Sequence, residues 1–475
     1  MRDSGGVSTE PHVPRPPRVV VVGAGVSGLA AAWELRAGRP EVEVVVLEAS
    51  DRVGGALHSA EVGGTTLDTG AESILFRRPE GVELARAVGL GDDLVHPTTT
   101  AARVWSRGRL SPLPRSVLGV PADLEDLRRS GLLSDAGYAR AAEEPGQPDT
   151  ALDGDLSVGD LVEQRFGAEV VDRLVEPLLG GVYAGHAREI SARAAAPQVV
   201  ALLDRDPSML RAAAAATAAS SGTPVFAGIT GGVSRLAQAA AAPLDTRFST
   251  TVRELRRTGA GWQVVTGPVP APGVVEADAV VLAVPAPAAA RLLRDVAPVA
   301  SQELAQVEYA SMAVVTLAFP ADGFPAVEGS GFLVPPVDRR AVKAVTWSSR
   351  KWEWVHDAAP GLVLLRTSVG RHREEADLQV PDEELVARSR RDLQDAAGLT
   401  GEPVDSHVQR WGGALPQYAV GHLDRVRRTR EAVAAVPGLA VCGAAYDGLG
   451  IPACVATGRT AARQVLDQLE ERMEP

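Results

Sequence analysis

Gly23, Gly25 and Gly28 stand in the run G-A-G-V-S-G, and a carboxylate, Glu48, follows twenty residues after the last of them. Those residue types in that order suit a dinucleotide. The first glycine permits a tight turn, the second lets backbone approach a pyrophosphate, and the third lets a helix pack closely on a strand. Phosphate oxygens then meet a helix N-terminus, where unpaired N–H groups and the helix dipole favour negative charge. The carboxylate accepts hydrogen bonds from a ribose. Gly23, Ala24, Gly25, Val26, Ser27 and Gly28 are therefore candidate cofactor-binding residues, with Glu48 and Ala49 at the ribose.

Neighbouring elements must hold these groups in place. The apolar run opening at Arg18 is too short and too β-branched for a helix, and it predicts a buried parallel strand. L-A-A-A-W-E-L from Leu29 predicts a helix, and V-E-V-V-V-L from Val42 a second strand that delivers Glu48. The sequel, E-x-S-x-R-x-G-G, adds Arg52 and Gly55 and resembles a signature of two-dinucleotide-binding flavoproteins. That resemblance selects FAD over NAD, whereas Glu48 alone fits either.

The chain of 475 residues exceeds one small core, so two or three domains are expected. Its 45% apolar and 23% charged residues belong to an ordinary folded protein. A net charge of −12 disfavours a general nucleic-acid binder but leaves room for a local basic pocket. Residues 1–17 are polar and proline-rich, which predicts a disordered leader without a secretion signal. No long uninterrupted apolar run predicts a membrane-spanning helix, so a cytoplasmic protein is expected. Cys442 and Cys454 are the two cysteines, read as small buried side chains with no metal site or disulfide framework.

Residues 58–67 predict one strand or a hairpin around Gly63-Gly64. The turn D-T-G-A-E-S from Asp68 is either a surface turn or a return toward the cofactor, which makes Gly70, Ala71, Glu72 and Ser73 cofactor-proximal candidates. Residues 79–90 predict a helix capped by Gly91. A hairpin over 104–110 and helices over 123–133 and 157–175 follow, the latter building a helical lobe. Gly180, Gly181 and Gly185 predict a break in that lobe, bordering a reaction chamber at Gly181, Val182 and Tyr183. His186 is either a base or a locally bonded histidine. Residues 187–220 are alanine-dense and helical in pattern, with Met209 and Leu210 in the core. Residues 228–287 return to strand-turn-helix character, residues 301–369 predict four strands of a mixed sheet able to floor a pocket, and 374–397 and 426–436 predict helices. Residues 439–458 read as strand, glycine loop and helix, and a helix starting near Ile451, Pro452 and Ala453 can present N–H groups to flavin O2.

The glycine-rich opening, Glu48 with R-V-G-G, W-G-G-A-L-P-Q-Y-A-V-G-H from Trp411 and A-A-Y-D-G-L-G-I-P-A-C from Ala444 together resemble the protoporphyrinogen/coproporphyrinogen oxidase family. The resemblance runs from about residue 18 to near the C-terminus. It implies an α/β fold: a discontinuous Rossmann-like FAD domain of the p-hydroxybenzoate-hydroxylase/amine-oxidase type, a mixed-sheet substrate domain and a helical lobe. The FAD parts would be 18–90, 228–287 and 437–475, with the substrate-side and helical lobe at 91–227 and the substrate-binding sheet at 288–436. One non-covalent FAD per chain is implied, with Val252 contacting adenine and Trp411 also at the cofactor.

The implied activity is oxidation of coproporphyrinogen III to coproporphyrin III, in three two-electron steps that reduce three dioxygen to three hydrogen peroxide, within haem biosynthesis. Protoporphyrinogen IX is the alternative substrate. An FAD amine oxidase, with an aromatic cage near Trp411 and Tyr446, and a non-enzymatic flavin carrier are the rival classes. Partners would be the porphyrinogen, dioxygen and other haem-pathway enzymes. The flavin drives the chemistry, and no residue is assigned as acid or base. Four propionates call for cations, since arginine's rigid donor fork matches a carboxylate. Arg52, Arg77, Arg78, Lys351 and Arg366 are the candidates, with Tyr183, Met312, Trp347 and Trp411 as apolar walls or as core filling.

Overall fold

The computed structural model describes residues 15–148, 154–219, 222 and 224–473. Residues 1–14 of the expected leader lie outside them. The leader's last three residues are tied down: Arg15 pairs with Asp278, and the Pro17 carbonyl accepts from the Glu43 N–H at 2.9 Å.

A five-stranded parallel sheet takes strands from three distant stretches of chain. Its order is Asp245–Arg247, Glu43–Leu47, Arg18–Val22, Ala279–Leu282 and Leu439–Val441. Valine-rich strands suit this sheet because both faces are covered. On one face the helix Val26–Gly38 packs with the C-terminal helix Ile451–Met473 over Leu29, Leu35, Val46 and Val465. On the other, Val20, Leu47, Leu255, Trp262 and Leu293 form a second core beneath the antiparallel strands Val252–Thr258, Gly261–Thr266 and Gly273–Ala277.

The second large sheet has seven strands, in the order Asp405–Pro416, Tyr309–Pro320, Leu362–Val369, Val342–Thr346, Gly331–Leu333, Ala102–Ser106 and Arg109–Pro112. All neighbours are antiparallel except Gly331–Leu333 with Ala102–Ser106, so the sheet is mixed as expected. Alternation along its strands separates two faces. Val315, Leu317, Phe319, Val345, Trp347 and Leu365 form a dry core with the helix Asp382–Ala397. Met312, Ala344, Thr346, Arg366 and Ser368 share the other face and are only partly buried.

The helical lobe surrounds Leu161, Phe166, Leu174, Val199 and Met209. Inside it, Glu144 and Arg165 form a fully buried pair, with Glu144 Oε1 3.0 Å from Arg165 Nε and also accepting the Met209 N–H at 2.8 Å. That carboxylate supports the start of the helix Met209–Ala219 together with a serine cap, since the Ser208 hydroxyl accepts the Arg211 N–H at 3.2 Å and donates to Glu144 Oε2 at 2.6 Å.

Of the two readings of residues 58–67 the hairpin around Gly63-Gly64 is the one formed, Ser59–Val62 against Thr65–Asp68. Several other local expectations change. The helix Pro79–Ala87 stops before Gly91, because Gly89 takes the left-handed φ of +84° that ends it. Gly180 and Gly181 lie inside the helix Glu176–Tyr183, and the turn falls at Ala184 with φ +50°. Pro381 delays the long helix to Asp382, behind a short 3-10 turn at Glu375–Leu378. The block W-G-G-A-L-P belongs to the strand Asp405–Pro416. Among the described residues no helix is long and apolar enough to cross a membrane, no His/Cys/Asp/Glu group could hold a metal, and both cysteines are free and buried.

A Cβ at Gly28 would lie 2.0 Å from the Gly23 carbonyl oxygen and 3.0 Å from the Ala283 Cβ. Gly28→Ala must therefore push the first helix off the sheet. A loss of about 1–3 kcal/mol is expected, read as a lowered thermal unfolding midpoint; an unchanged midpoint would show that the helix has room.

Candidate functional site

A cavity of about 740 Å³ opens where the parallel strands end, with Val22, Leu47, Ala283 and Gly443 around it. That is the position where open α/β sheets take ligands, and the volume lies within the usual range of about 300–1,000 Å³. Gly23, Gly25, Val26 and Ser27 line one wall, Glu48 and Ala49 another, and Gly55 and Ala71 a third. Val252 and Ile451 also reach it.

The lining fits a dinucleotide on grounds internal to the molecule. Gly25 is the N-cap of Val26–Gly38 with no side-chain cap, and a Cβ there would meet nothing within 4 Å. The helix N-terminus thus faces open space, which suits a phosphate. Glu48 accepts the Ala24 N–H at 2.7 Å through Oε2 and the Ser50 N–H at 2.8 Å through Oε1. Those bonds fix its orientation and leave further lone pairs for hydroxyl donors. Apolar residues such as Leu292, Leu415 and Leu449 cover much of the remaining wall, which suits flat rings.

Other expected cofactor residues stand behind this wall. Ala24 acts through its N–H to Glu48, and Gly28 through packing on Gly23. Arg52 donates to the Val53 and Gly55 carbonyls at 3.2 and 3.0 Å, clasping its own loop. Gly70 lies against the Ala56 carbonyl and the Trp411 ring, leaving no space for a Cβ. Trp411 turns its Nε1–H to the Thr69 carbonyl at 3.0 Å and its ring to His58, so it braces the turn and is not in the cavity lining. Pro452 faces Gly81 and Ala453 faces Gly448, because helical geometry brings Ile451 and Cys454, three apart, to the cavity side.

Glu72 and Ser73 also leave the lining, and the reason is electrostatic. Glu72 Oε1 lies 2.5 Å from Lys351 Nζ and Oε2 2.8 Å from Arg366 Nη2, with all three side chains at most 16% exposed. Burial raises the Glu72 pKa, but Arg366 and Lys351 outweigh it and hold the carboxyl below its ordinary value. Lys351 also donates to Ser73 Oγ at 3.2 Å, and Arg366 to the Asp68 and Gly70 carbonyls at 2.7 and 3.1 Å. This clamp fastens the turn 68–73, which carries Ala71, to the open face of the seven-stranded sheet. Lys351 and Arg366 are therefore compensated charges.

The other substrate-pocket candidates separate. Arg77 is exposed, and Arg78 pairs with Glu80 at 2.7 Å. Tyr183 is buried against Tyr418 in the helical lobe, where burial pushes its phenol up to about 12. Trp347 belongs to the dry face of the sheet, whereas Met312 and Arg366 share the open one. Gly181 and Val182 are exposed at the end of their helix, and His186 Nε2 lies 3.2 Å from the His372 carbonyl. Tyr446 is buried beside Arg430 in the second core, away from Trp411, so the two form no cage. Lining residues that the sequence reading did not single out include Tyr309, Arg291 and Cys454. The i, i+3 spacing from Ile451 could have found Cys454; nothing in the sequence marks the other two.

The family described as flavin containing amine oxidoreductase matches residues 26–466. Over 468 residues the chain is 39% identical to a coproporphyrinogen III oxidase of Mycobacterium tuberculosis (strain ATCC 25618 / H37Rv), covering 95% of this chain and 98% of the relative. A crystal structure from Exiguobacterium sp. 255-15, named "Putative protoporphyrinogen oxidase", superposes with a TM-score of 0.85 at 32% identity, covering 96% of this chain and 99% of that one. Cyclohexylamine oxidase from Brevibacterium oxydans IH-35A shares the fold alone, with a TM-score of 0.67 at 18% identity over 96% of this chain and all of that one (100%).

One titration follows from the clamp's neighbour. Asp68 accepts the Val233 and Ser234 N–H groups at 2.7 and 3.1 Å, and burial, opposed by those bonds and by Arg366, raises its pKa to about 6. Because the folded value lies above the ordinary aspartate value of about 4, this group contributes stability below about pH 4 and withdraws it as pH rises through about 6. Asp68→Asn should remove that part of the stability-versus-pH slope between about 4 and 6, measured by urea unfolding; an identical slope in both proteins would refute the assignment.

Proposed function

The chain belongs to the flavin containing amine oxidoreductase family, and we propose that within it the protein is an FAD-dependent oxidase of coproporphyrinogen III. In this reading, one coproporphyrinogen III and three dioxygen give one coproporphyrin III and three hydrogen peroxide, the macrocycle losing six hydrogens. The observation that carries it is the near full-length 39% identity to a relative of that name. The two sequence blocks that resemble the porphyrinogen oxidases also return as cavity wall, Ala414 to Pro416 from one and Leu449, Ile451 and Cys454 from the other.

Bound FAD supplies hydride acceptance and the reduction of dioxygen. The chain's own residues do the positioning. Gly23 to Ser27 and the N-terminus of Val26–Gly38 hold the pyrophosphate, Glu48 the ribose hydroxyls and Val252 the adenine edge. The N-terminus of Ile451–Met473 stabilises charge at the flavin's carbonyl edge. The turn fixed by Glu72, Lys351 and Arg366 sets the distance between cofactor wall and sheet, so that the reacting C–H is held in line rather than sampled from solution. Non-covalent FAD is what the family resemblance implies, and Cys454, whose thiol burial pushes up to about 11, is a weak nucleophile in the cavity wall. Two free thiols suit the cytoplasm, where other enzymes of haem synthesis would supply the substrate and take the product.

Protoporphyrinogen IX is the second reading, favoured by the name of the Exiguobacterium neighbour. The amine oxidase reading has the broad family match and the fold of cyclohexylamine oxidase behind it, but Trp411 and Tyr446 stand apart and form no cage.

Coproporphyrinogen III, offered under air, should yield fluorescent coproporphyrin III and, because six hydrogens are removed in pairs, about three hydrogen peroxide per porphyrin. A higher kcat/KM for protoporphyrinogen IX would move the protein to the second reading, and inactivity on both with primary-amine oxidation would overturn the first. Gly25→Val should lose most of its bound flavin absorbance while keeping the apoprotein's unfolding midpoint, because the new side chain enters open space. Retained flavin would refute the pyrophosphate placement.

A further inference from the structure

Two buried cations remain under-compensated where the helical lobe meets the open face of the seven-stranded sheet, and we propose that Lys343 and Arg371 form a carboxylate subsite that takes one propionate of the macrocycle. The proposal rests on the porphyrinogen reading and adds to it the residues that recognise a side chain.

Lys343 occupies the register shift between Val342 and Ala344 and is 2% exposed. Its ammonium has three donors, yet the hydrogen-bonding partner within reach is the thioether of Met312, 3.9 Å away. Arg371, 6% exposed, follows the strand Leu362–Val369. Its Nη2 makes a long 3.3 Å bond to the Val334 carbonyl, and its Nη1 lies 3.8 Å from Glu374, whose side chain is 41% exposed. Glu176, Asp377 and Asp392 reach Arg371 only through their fields, with no ion pair to it, and Glu176 has its own pKa raised by burial and keeps one oxygen without a partner.

A buried cation without a matched anion is destabilising. Burial, followed by the field of Arg371, lowers the Lys343 pKa to about 7. The contrast with the clamp is direct: Lys351 and Arg366 have Glu72 between them at 2.5 and 2.8 Å. Among the described residues no carboxylate is held between Lys343 and Arg371 at such distances: Glu374, whose field reaches both, stays 3.8 Å from Arg371 with its side chain 41% exposed, and an incoming carboxylate would satisfy both cations.

The place also fits. The helix Glu176–Tyr183 packs on the strands Val342–Thr346 and Gly331–Leu333. Beside that contact the helix exposes Gly181 and Val182, while the sheet leaves Met312, Ala344 and Ser368 partly open. Met312 is the deformable part of the wall in front of Lys343, since an unbranched thioether repacks easily.

The test compares Lys343→Met and Arg371→Gln with the wild type, using coproporphyrinogen III, its tetramethyl ester and the product coproporphyrin III. Both variants should raise KM for the free acid by about tenfold, the loss of one charge-assisted hydrogen bond, with kcat and flavin content unchanged. Lys343→Met should hold or raise the unfolding midpoint, because a buried charge is removed. The ester, which carries no carboxylate, should not distinguish the variants from the wild type. An unchanged KM for the free acid, or an equal loss with the ester, would overturn the subsite. Fluorescence-quenching affinity for coproporphyrin III needs no turnover: wild-type binding weakened in both variants, in a protein that fails to oxidise the porphyrinogen, would keep the subsite and refute the activity. Equal binding by all three proteins would refute the subsite whatever the activity.

Discussion

The N–H groups that begin Val26–Gly38 must stay open to a ligand while everything behind them is packed to backbone contact. Gly28 sits on the Gly23 carbonyl, and Gly458 of the C-terminal helix sits on the Ser27 carbonyl, each with no room for a Cβ. Gly25, between them, faces empty space. Steric exclusion at two glycines and openness at the third are one constraint, because the helix can present its N-terminus only if its flank is pinned. The rest of the parallel sheet and the C-terminal helix are arranged to hold that geometry.

A second sheet is joined to this frame by charge as well as by apolar packing, in which Val62 and Leu67 of the hairpin meet Ala318, Leu364 and Trp352. Glu72 bridges Lys351 and Arg366, and Arg366 reaches two carbonyls of the same turn. Removing one member of such a buried cluster leaves the others uncompensated, so the clamp specifies the relative position of cofactor wall and sheet more than it adds stability. It also changes how basic residues are read. Cations such as Lys351 and Arg366 that face an internal carboxylate are already matched within the fold.

Much of the cofactor wall was legible in order along the chain. The strand, glycine turn, helix, strand and Glu48 lie within one short stretch, and local geometry alone brings them together. Val252 and Ile451 lie far from that stretch; family resemblance supplied the role of Val252 and the strand, glycine loop and helix pattern that of Ile451, and the structure brings both to the same cavity. The side chains of Trp411, Pro452 and Ala453 stand outside the cavity lining because motif membership names a segment, whereas strand and helix periodicity decides which side chain of it faces the cavity. Tyr309 and Arg291 carried no sequence signal, since each reaches the cavity through packing between elements distant in the chain.

Sequence by itself determined the local elements, the phosphate-type turn and the parallel character of the valine-rich strands, because those follow from backbone sterics and short-range periodicity. It also marked which residues are basic. Only the tertiary structure decided which of those cations are already matched. Lys351, Arg366 and Lys343 are all cationic side chains of one region of the sequence, and what separates them is the carboxylate, some 270 or more residues away in the chain, that the first two share. The attraction falls with distance in space, not along the chain. Electrostatic compensation depends on spatial separation, and that is a property of the fold.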